Sequence, residues 1–445
     1  MIGDGQALEV FLGERGVGVL EADTQGRLTF TYADRSPLSR LSISLPPRAE
    51  PYNDAECRPF FAGLLPEGDA LAAAAARRRL QPYEVFGLLR EYGAECAGAV
   101  RLLHPGGKPD MPQDYEPLDE AALARVIDEI PTSPNFAADR RVRLSVAGAQ
   151  PKTAVAFLDG RFHRPLNGSP STHLIKVAPA GKPDFALVPR AEAFSMALAA
   201  SLGVDVAETT LRSFAGRECL LVERYDRRVE GGRVHEIHQE DFCQALGYPP
   251  ERKYEFSAAA NGAPRKVGPG LAQCLALMQQ TAAPLLGRAE LMRRVIATVL
   301  LANADAHAKN FSLLYDVPGR APSLAPAYDM LCTRIFPVTE DMAMAVGAAI
   351  RPDEIRKVDW LILAPVATPG ALTGLEAAVK AQAETVLSKL GALRQRPEFA
   401  GIQPYENIRR CVAEVVRSVA AAFGWTIPAE APPYLARAGG WAIPS

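Results

Sequence analysis

The chain has 445 residues, of which 48% are hydrophobic and 22% are charged, and its formal net charge at pH 7 is −2. This composition is ordinary for a globular chain of two or three domains, and it lacks the overall positive charge that would draw a protein onto nucleic acid or a membrane. The seven cysteines are scattered without a Cys-x-x-Cys pair, which argues against a zinc site or a disulfide framework and predicts a cytoplasmic protein with reduced thiols.

The first hundred residues predict short strands followed by helices. Period-two alternation predicts the strands, and the change to a helical period at Phe60 predicts helices up to Leu89. A further strand is expected at 98–103, and the Pro- and Gly-rich stretch 105–117 is interpreted as a loop. No apolar run is long enough to span a bilayer, and no secretion signal is recognised, so no membrane association is expected. The predicted strands are 8–12, 16–20, 28–32 and 41–45.

A turn of small residues is predicted between two apolar runs within 144–157. Gly148 at its tip would let backbone amides approach a phosphate, and Lys152 lies next to the turn. An ordinary tight turn is the alternative interpretation, because phosphate-binding loops usually contain several glycines.

Lys176 lies inside the apolar, strand-like run 172–177. A kinase uses such a lysine to hold the α- and β-phosphates of ATP, whereas a lysine on a strand at the edge of a sheet is the alternative. Glu192, in the helix predicted next, is a candidate partner for Lys176, although the helix dipole would also explain an acid there.

The strand-like run that begins at Cys219 ends in the charged residues 223–227. One interpretation is a hinge whose backbone groups bind adenine at the mouth of a cleft. The other is a hairpin end held by salt bridges. Helices are predicted beyond this point, and the helix at 285–301 has an apolar stripe typical of a buried face. The predicted helices are 238–246, 271–278, 285–301, 360–363, 375–393 and 405–423.

An Asp-x-x-x-x-Asn spacing follows the 285–301 helix, with Asp305 and Asn310 at its ends. This is the spacing of a kinase catalytic loop, in which the carboxylate accepts the proton of an attacking hydroxyl and the amide oxygen is a hard ligand for magnesium. Asp329, after a short strand-turn-strand, would supply a second metal ligand. The alternative is that Asp305 caps a helix or turn and Asp329 is a surface acid.

Several ordered motifs together resemble the HipA kinases of bacterial toxin–antitoxin modules over nearly the whole chain. In the N-terminal part the motifs are Pro37-Leu38 with 41–46, 61–66 and 98–100, and in the C-terminal part they are 145–153, 173–176, 222–227, 239–241, 305–310 and 328–329.

This resemblance implies an α+β, protein-kinase-like fold with two lobes, a mixed α/β N-terminal lobe and an all-helical C-terminal lobe. The expected domains are 1–104 as the HipA N-terminal subdomain, 105–139 as a linker with a short helix, 140–232 as the nucleotide-binding part, and 233–445 as the helical lobe with the catalytic loop.

The resemblance also implies ATP and Mg²⁺ as cofactors and assigns roles to residues of this chain. Asp305 would be the catalytic base, Asn310 and Asp329 the metal ligands, and Lys176 the contact to the α- and β-phosphates. The remaining nucleotide contacts would be Ala147, Gly148, Ala149, Gln150, Lys152, Glu223, Arg224, Tyr225, His307, Ala308, Lys309 and Tyr328.

Ser145 matches the serine that these kinases autophosphorylate, and phosphate beside the ATP site would repel the nucleotide and silence the enzyme. The chain departs from the best-known member at Pro151, where that member has an acid, and proline removes one backbone donor.

The implied protein substrate is a translation enzyme, such as glutamyl-tRNA synthetase or another aminoacyl-tRNA synthetase, and its phosphorylation would cause growth arrest and persistence. The implied partner is a HipB-like helix-turn-helix antitoxin, through which DNA would mainly be contacted. Two other functions stay open: a small-molecule phosphotransferase on a kinase-like fold, and a non-catalytic corepressor that holds the antitoxin.

Overall fold

The structure is a computed structural model that describes residues 6–109, 112–130, 150–258, 264–364, 369–401 and 404–426. Along these residues, no helix combines the length and the apolar character needed to cross a membrane. The strands are β1 (Gln6–Leu12), β2 (Arg15–Ala22), β3 (Leu28–Tyr32), β4 (Val100–Leu103), β5 (Asp114–Leu118), β6 (Lys152–Leu158), β7 (Arg161–Leu166), β8 (His173–Lys176), β9 (Thr209–Phe214), β10 (Arg217–Glu223), β11 (Arg227–Glu230), β12 (Arg233–Glu236), β13 (His238–Asp241), β14 (Phe256–Ala258), β15 (Pro264–Lys266), β16 (Ser312–Tyr315) and β17 (Ser323–Leu324). The α-helices are α1 (Asp54–Gly63), α2 (Gly68–Arg77), α3 (Val85–Tyr92), α4 (Glu120–Glu129), α5 (Val188–Ser201), α6 (Phe242–Leu246), α7 (Leu271–Leu277), α8 (Pro284–Leu300), α9 (Pro369–Arg394) and α10 (Tyr405–Phe423).

The chain forms two compact units, each assembled from separate segments. The first unit comprises Met1–Ala180, Arg212–Glu251 and Ser312–Ala325, and the second comprises Gly181–Leu211, Arg252–Phe311 and Pro326–Ser445. The domains expected from the sequence are continuous ranges, whereas each of these units consists of separate segments. The expected domain boundaries therefore stay predictions.

The first unit begins with an antiparallel sheet in the order β3-β2-β1-β4. Its core contains large apolar side chains of the sheet and of α1, α3 and the neighbouring loops. Phe30 contacts Phe61 edge-on with ring centroids 5.3 Å apart, and Phe60 packs against Phe61 in the same way. Strands β1, β2 and β3 contain the predicted strands 8–12, 16–20 and 28–32, and they form part of a half-buried sheet.

A second sheet of this unit has the order β5-β7-β6-β8-β10-β9. Helix α4 contributes Leu123 and Ile127 to a core that also contains Val155, Ile175 and Leu221 from three neighbouring strands. Because side chains alternate across a strand, residues 152, 154, 174 and 176 lie on the opposite face of this sheet.

The second unit is built mainly from helices, and α9 packs against α5, α8 and α10. The stripe predicted on α8 is buried, with Leu291, Val295, Ile296 and Val299 all at most 3% exposed. Helix α10 begins and ends where the sequence predicts, and Gly424 closes it in the left-handed conformation that favours glycine.

Three segments differ from the sequence prediction because distant contacts decide their structure. Residues 41–45 are not a strand; Ser44 bonds the Gln244 carbonyl at 2.7 Å while Leu41 and Leu45 enter the core. Residues 114–118 form β5 rather than a loop, because they pair with β7. Residues 238–241 form β13 rather than a helix, because they pair with β16, and α6 starts only after Asp241 has capped it.

Candidate active site

A sharp turn after α8 presents Asp305. Ala302 adopts a left-handed backbone with φ +51°, and the Asn303 N–H donates back to the Thr298 carbonyl at 3.1 Å. The Asn303 side chain then accepts from the Asp305 N–H at 3.1 Å, which makes a local turn of the kind asparagine favours. Asp305 is exposed, and its Oδ1 accepts from the Tyr254 hydroxyl at 2.7 Å.

Thr333 holds the backbone of this loop. The Ala304 N–H donates to Thr333 Oγ1 at 2.7 Å, and that hydroxyl donates to the Ala302 carbonyl at 3.2 Å. On its other side, the Ala304 carbonyl accepts from the Ala343 N–H at 2.7 Å. Sequence reasoning missed Thr333, for which the only signal was one hydroxyl residue within an irregular apolar stretch.

Asn310 and Asp329 lie side by side, as the metal-ligand hypothesis requires. Asn310 Nδ2 donates to Asp329 Oδ2 at 3.3 Å, and Tyr328 ties the two segments by donating to the Lys309 carbonyl at 2.5 Å. Asp329 has a left-handed backbone with φ +59°, a strained conformation for a residue other than glycine and one that is common at functional sites.

The donor set of this pair fits a magnesium ion. Within the part of the chain that the structure describes, the buried Asn310 Oδ1 has no hydrogen-bond partner. An amide oxygen beside a carboxylate supplies the hard oxygen ligands that Mg²⁺ prefers, and this ion usually completes its shell with water and substrate phosphates. The described residues contain no cluster of three or more His, Cys, Asp or Glu able to hold a metal, but a site of this Asn–Asp type does not need one.

Lys152 and Lys176 are direct partners across β6 and β8. Residues directly opposite each other in an antiparallel pair point to the same face with Cβ atoms about 5 Å apart, and like charges there destabilise the pair. Both lysines are only 5% exposed, and β8 lies inside its sheet, so the edge-strand interpretation of Lys176 is wrong. Their contacts to phosphate stay predictions.

The segment after β10 carries the salt bridges of one earlier interpretation, and the hinge interpretation stays a prediction. The Arg224 guanidinium bonds Glu95 and Asp226 at 2.8 and 2.9 Å, so its side chain belongs to a buried ion cluster, as the salt-bridge interpretation predicted. The Tyr225 hydroxyl donates to Gln239. Adenine contacts by Glu223, Arg224 and Tyr225 stay predictions, and for Arg224 they concern the main chain.

Some of the other predicted site residues lie within the described part of the chain and some lie outside it. Glu192 is buried in α5 of the second unit, whereas Lys176 belongs to the first, and their pairing stays a prediction. Gln150 precedes β6 and is half-buried. Ser145, Ala147, Gly148 and Ala149 lie outside the described residues.

Residues 8–103 match the family model of the HipA N-terminal domain, and residues 144–421 match that of the HipA-like C-terminal domain. A Sinorhizobium fredii protein named "Putative kinase Y4mE" is 41% identical over 382 residues, which are 82% of this chain and 86% of that protein. The "Serine/threonine-protein kinase toxin HipA" of Shewanella oneidensis is 29% identical over 301 residues, 66% of this chain and 68% of that one.

The fold is similar to that of HipA in the solved Shewanella oneidensis complex of HipA, HipB and operator DNA. That chain has a TM-score of 0.76 and 23% identity, and the match covers 94% of this chain and 98% of that one. The fold class is therefore a mixed α/β, kinase-like one, as predicted. The chain belongs to the HipA family, which confirms the resemblance found in the sequence.

Proposed function

We propose that this chain is an ATP- and magnesium-dependent serine/threonine protein kinase and the toxin of a toxin–antitoxin module. The observation that carries the proposal is the Asn310–Asp329 pair: the Asn310 amide nitrogen contacts the Asp329 carboxylate, and the buried Asn310 Oδ1 has no hydrogen-bond partner among the described residues. Asp305 lies on the same loop as Asn310. A pair of metal ligands and an exposed carboxylate are the parts that phosphoryl transfer needs from this region.

In the proposed reaction, Asp305 accepts the proton of a serine hydroxyl. The serine oxygen forms a bond to the γ-phosphorus of ATP, the bond from that phosphorus to the β–γ bridging oxygen breaks, and ADP leaves. A positioned general base of this type contributes about 10²- to 10⁴-fold to the rate.

The other residues of the site would bind the nucleotide. Asn310 Oδ1 and the Asp329 carboxylate would hold Mg²⁺, which neutralises phosphate charge when it is bound. Lys152 and Lys176 would contact the phosphates, a role that the family resemblance assigns to them.

The protein-level proposals rest on family membership. The substrate would be a serine of a translation protein such as an aminoacyl-tRNA synthetase, for example glutamyl-tRNA synthetase, and autophosphorylation at Ser145 would inactivate the kinase. A HipB-like antitoxin would be the partner and would make the main DNA contacts, a proposal that the similarity to HipA in the Shewanella oneidensis complex with HipB and operator DNA supports. The site of action would be the cytoplasm.

The test is incubation of the purified protein with γ-labelled ATP and MgCl₂. We expect label on Ser145, its loss when EDTA removes the metal, and a decrease of at least about 10²-fold in Asp305→Asn, because the general base is gone. Asp341→Asn is the matched control, since Asp341 is an exposed acid whose salt bridge to Arg351 lies on the surface. It should retain wild-type labelling.

Undiminished labelling of Asp305→Asn would contradict the proposed role of this residue. An unlabelled wild-type protein whose ATP turnover rises only with one small hydroxyl compound would point to a small-molecule phosphotransferase. Growth arrest that persists in Asp305→Asn would point to the non-catalytic corepressor instead.

A further inference from the structure

The Tyr254 hydroxyl is hydrogen-bonded to one carboxylate oxygen of the proposed catalytic base, Asp305. It donates to Asp305 Oδ1 at 2.7 Å, and the Tyr254 ring contacts the His307 ring edge-on with centroids 5.2 Å apart. Tyr254 is 39% exposed, so the contact lies at the surface of the unit, where a substrate hydroxyl would have to arrive. Neither the predicted site nor the proposed mechanism uses this residue.

The backbone beside Tyr254 is attached to the Asp305 loop on both sides. The Lys253 carbonyl accepts from the Ala308 N–H at 3.2 Å. The Glu255 N–H donates to the Ala343 carbonyl at 2.8 Å, and the Ala343 N–H donates in turn to the Ala304 carbonyl at 2.7 Å. The two residues that flank Tyr254 are therefore connected to positions before and after Asp305, which sets the direction from which the hydroxyl approaches.

Two glycines leave room for residues 252–255 to pack beside the Asp305 loop. A Cβ atom at Gly268 would be 2.1 Å from the Arg252 carbonyl oxygen and 2.3 Å from that of Tyr254. At Gly270 it would be 2.3 Å from Glu255 Oε1. A side chain at Gly268 would therefore force the backbone of residues 252–254 to move, whereas one at Gly270 would displace the Glu255 carboxylate.

The Glu255 side chain adds a second anchor to the same segment. Its Oε2 accepts from the Ala345 N–H at 2.8 Å, and its Oε1 pairs with Lys266 Nζ at 2.6 Å. Glu255 is buried, whereas Lys266 is exposed, so the carboxylate is held mainly from within the unit. These contacts hold the backbone that carries Tyr254 in place beside the Asp305 loop.

We infer that Tyr254 is a positioning residue for the proposed phosphoryl transfer, which orients the Asp305 carboxylate by holding Oδ1 so that Oδ2 meets the acceptor hydroxyl. This inference rests on the proposed kinase function. Because Tyr254 acts on the base and not on the nucleotide, its loss should affect turnover and leave nucleotide binding unchanged.

The kinetic test compares Tyr254→Phe with the wild-type protein in the labelled-ATP assay. We expect the rate constant of Ser145 labelling at saturating ATP to fall about tenfold, while the ATP concentration that gives the half-maximal rate and the melting temperature stay unchanged, because the ring and its packing on His307 remain. In the Asp305→Asn background the same substitution should cause no further loss, since the two residues act as one unit. Tyr83→Phe is the matched control, because Tyr83 is 76% exposed and lies in the other unit.

A second measurement tests the contact without relying on catalysis. In protein labelled with ¹³C at the tyrosine ζ carbon, the resonance that is absent from the spectrum of Tyr254→Phe belongs to Tyr254. This resonance should shift in the spectrum of Asp305→Asn. A resonance that stays in place would overturn the inference whether or not the chain is a kinase. An active wild-type protein with an equally active Tyr254→Phe would also overturn it. Phosphate found on Tyr254 would overturn it as well, because the hydroxyl would then receive the phosphoryl group and would not be a positioning group.

Discussion

Glu240 is a buried carboxylate whose titration contributes to the pH dependence of the stability of the first unit. It accepts hydrogen bonds from the Ser42 hydroxyl, from the Ile43 N–H at 3.0 Å and from the Tyr315 hydroxyl. Burial raises the pKa of Glu240 to about 7, although these donors act in the opposite direction. The folded protein therefore binds this proton more tightly than the unfolded chain does.

Glu240 therefore contributes stability that is lost as the pH rises from about 4.5 to about 7, the window between its unfolded and folded pKa values. Over this window the contribution amounts to about 3 kcal/mol at most. Burial lowers the pKa of His238, on the same strand, to about 4, so His238 contributes in the opposite direction over much of this window. Glu240→Gln should therefore make the melting temperature rise more with pH between about 4.5 and about 7 than in the wild-type protein, because only the Glu240 contribution is gone. Glu251→Gln, an exposed control, should leave the curve unchanged. An unaltered curve in Glu240→Gln would show that other groups carry the dependence.

At the scale of elements, the loop between α8 and the Asn310 turn is ordered by a side chain that lies outside it. Thr333 bonds the backbone of Ala302 and Ala304 at once, and it is 5% exposed, so water cannot replace it. The orientation of Asp305 thus depends on a residue that follows Asp329. This bridge connects the two parts of the sequence that carry the proposed base and metal ligands.

Thr333→Val should loosen the loop, because valine keeps the shape and removes the hydroxyl. The buried Ala304 N–H would lose its acceptor, which costs about 1–3 kcal/mol. We expect faster hydrogen exchange at the Ala304 amide, by at least about tenfold, and lower kinase activity. Thr333→Ser is the matched control, since it keeps the hydroxyl. Unchanged exchange in the valine variant would mean that the Ala343 contact alone holds the loop.

At the scale of the whole molecule, a buried ion cluster joins distant parts of the chain within the first unit. Glu95 accepts from Arg224 and Arg227, each at 2.8 Å, and both arginines also bond Asp226. Burial by itself would raise the pKa of Asp226, but Arg224 and Arg227 outweigh it and hold that pKa well below the usual range. The HipA N-terminal domain is thereby attached to the segment that follows β10.

Glu95→Gln should destabilise the protein strongly, because it leaves two buried guanidinium groups with too little negative charge around them. Removing one partner of a buried pair costs about 3–5 kcal/mol, and urea denaturation would measure it. Glu14→Gln is the matched control, since its bridge to Arg233 is exposed, and such a pair contributes at most about 1 kcal/mol. Equal effects of the two substitutions would contradict a central role for the cluster.

The sequence by itself determined those features that depend on neighbouring residues. The apolar period of α8 and α10 predicted both helices, and the ordered motifs predicted the family and the kinase-like fold class. The spacing of Asp305 and Asn310 predicted a loop with a carboxylate and an amide, and both lie on it. The functional roles of these residues remain predictions.

Only the tertiary structure decided which distant residues meet. It placed Lys152 opposite Lys176, Thr333 and Tyr254 beside the Asp305 loop, and Glu95 between two arginines more than a hundred positions away. It also made residues 238–241 a strand, because their partners are at 312–315. A hydrogen bond between distant segments leaves no period or spacing in either of them, whereas a helix leaves its own pattern in consecutive residues.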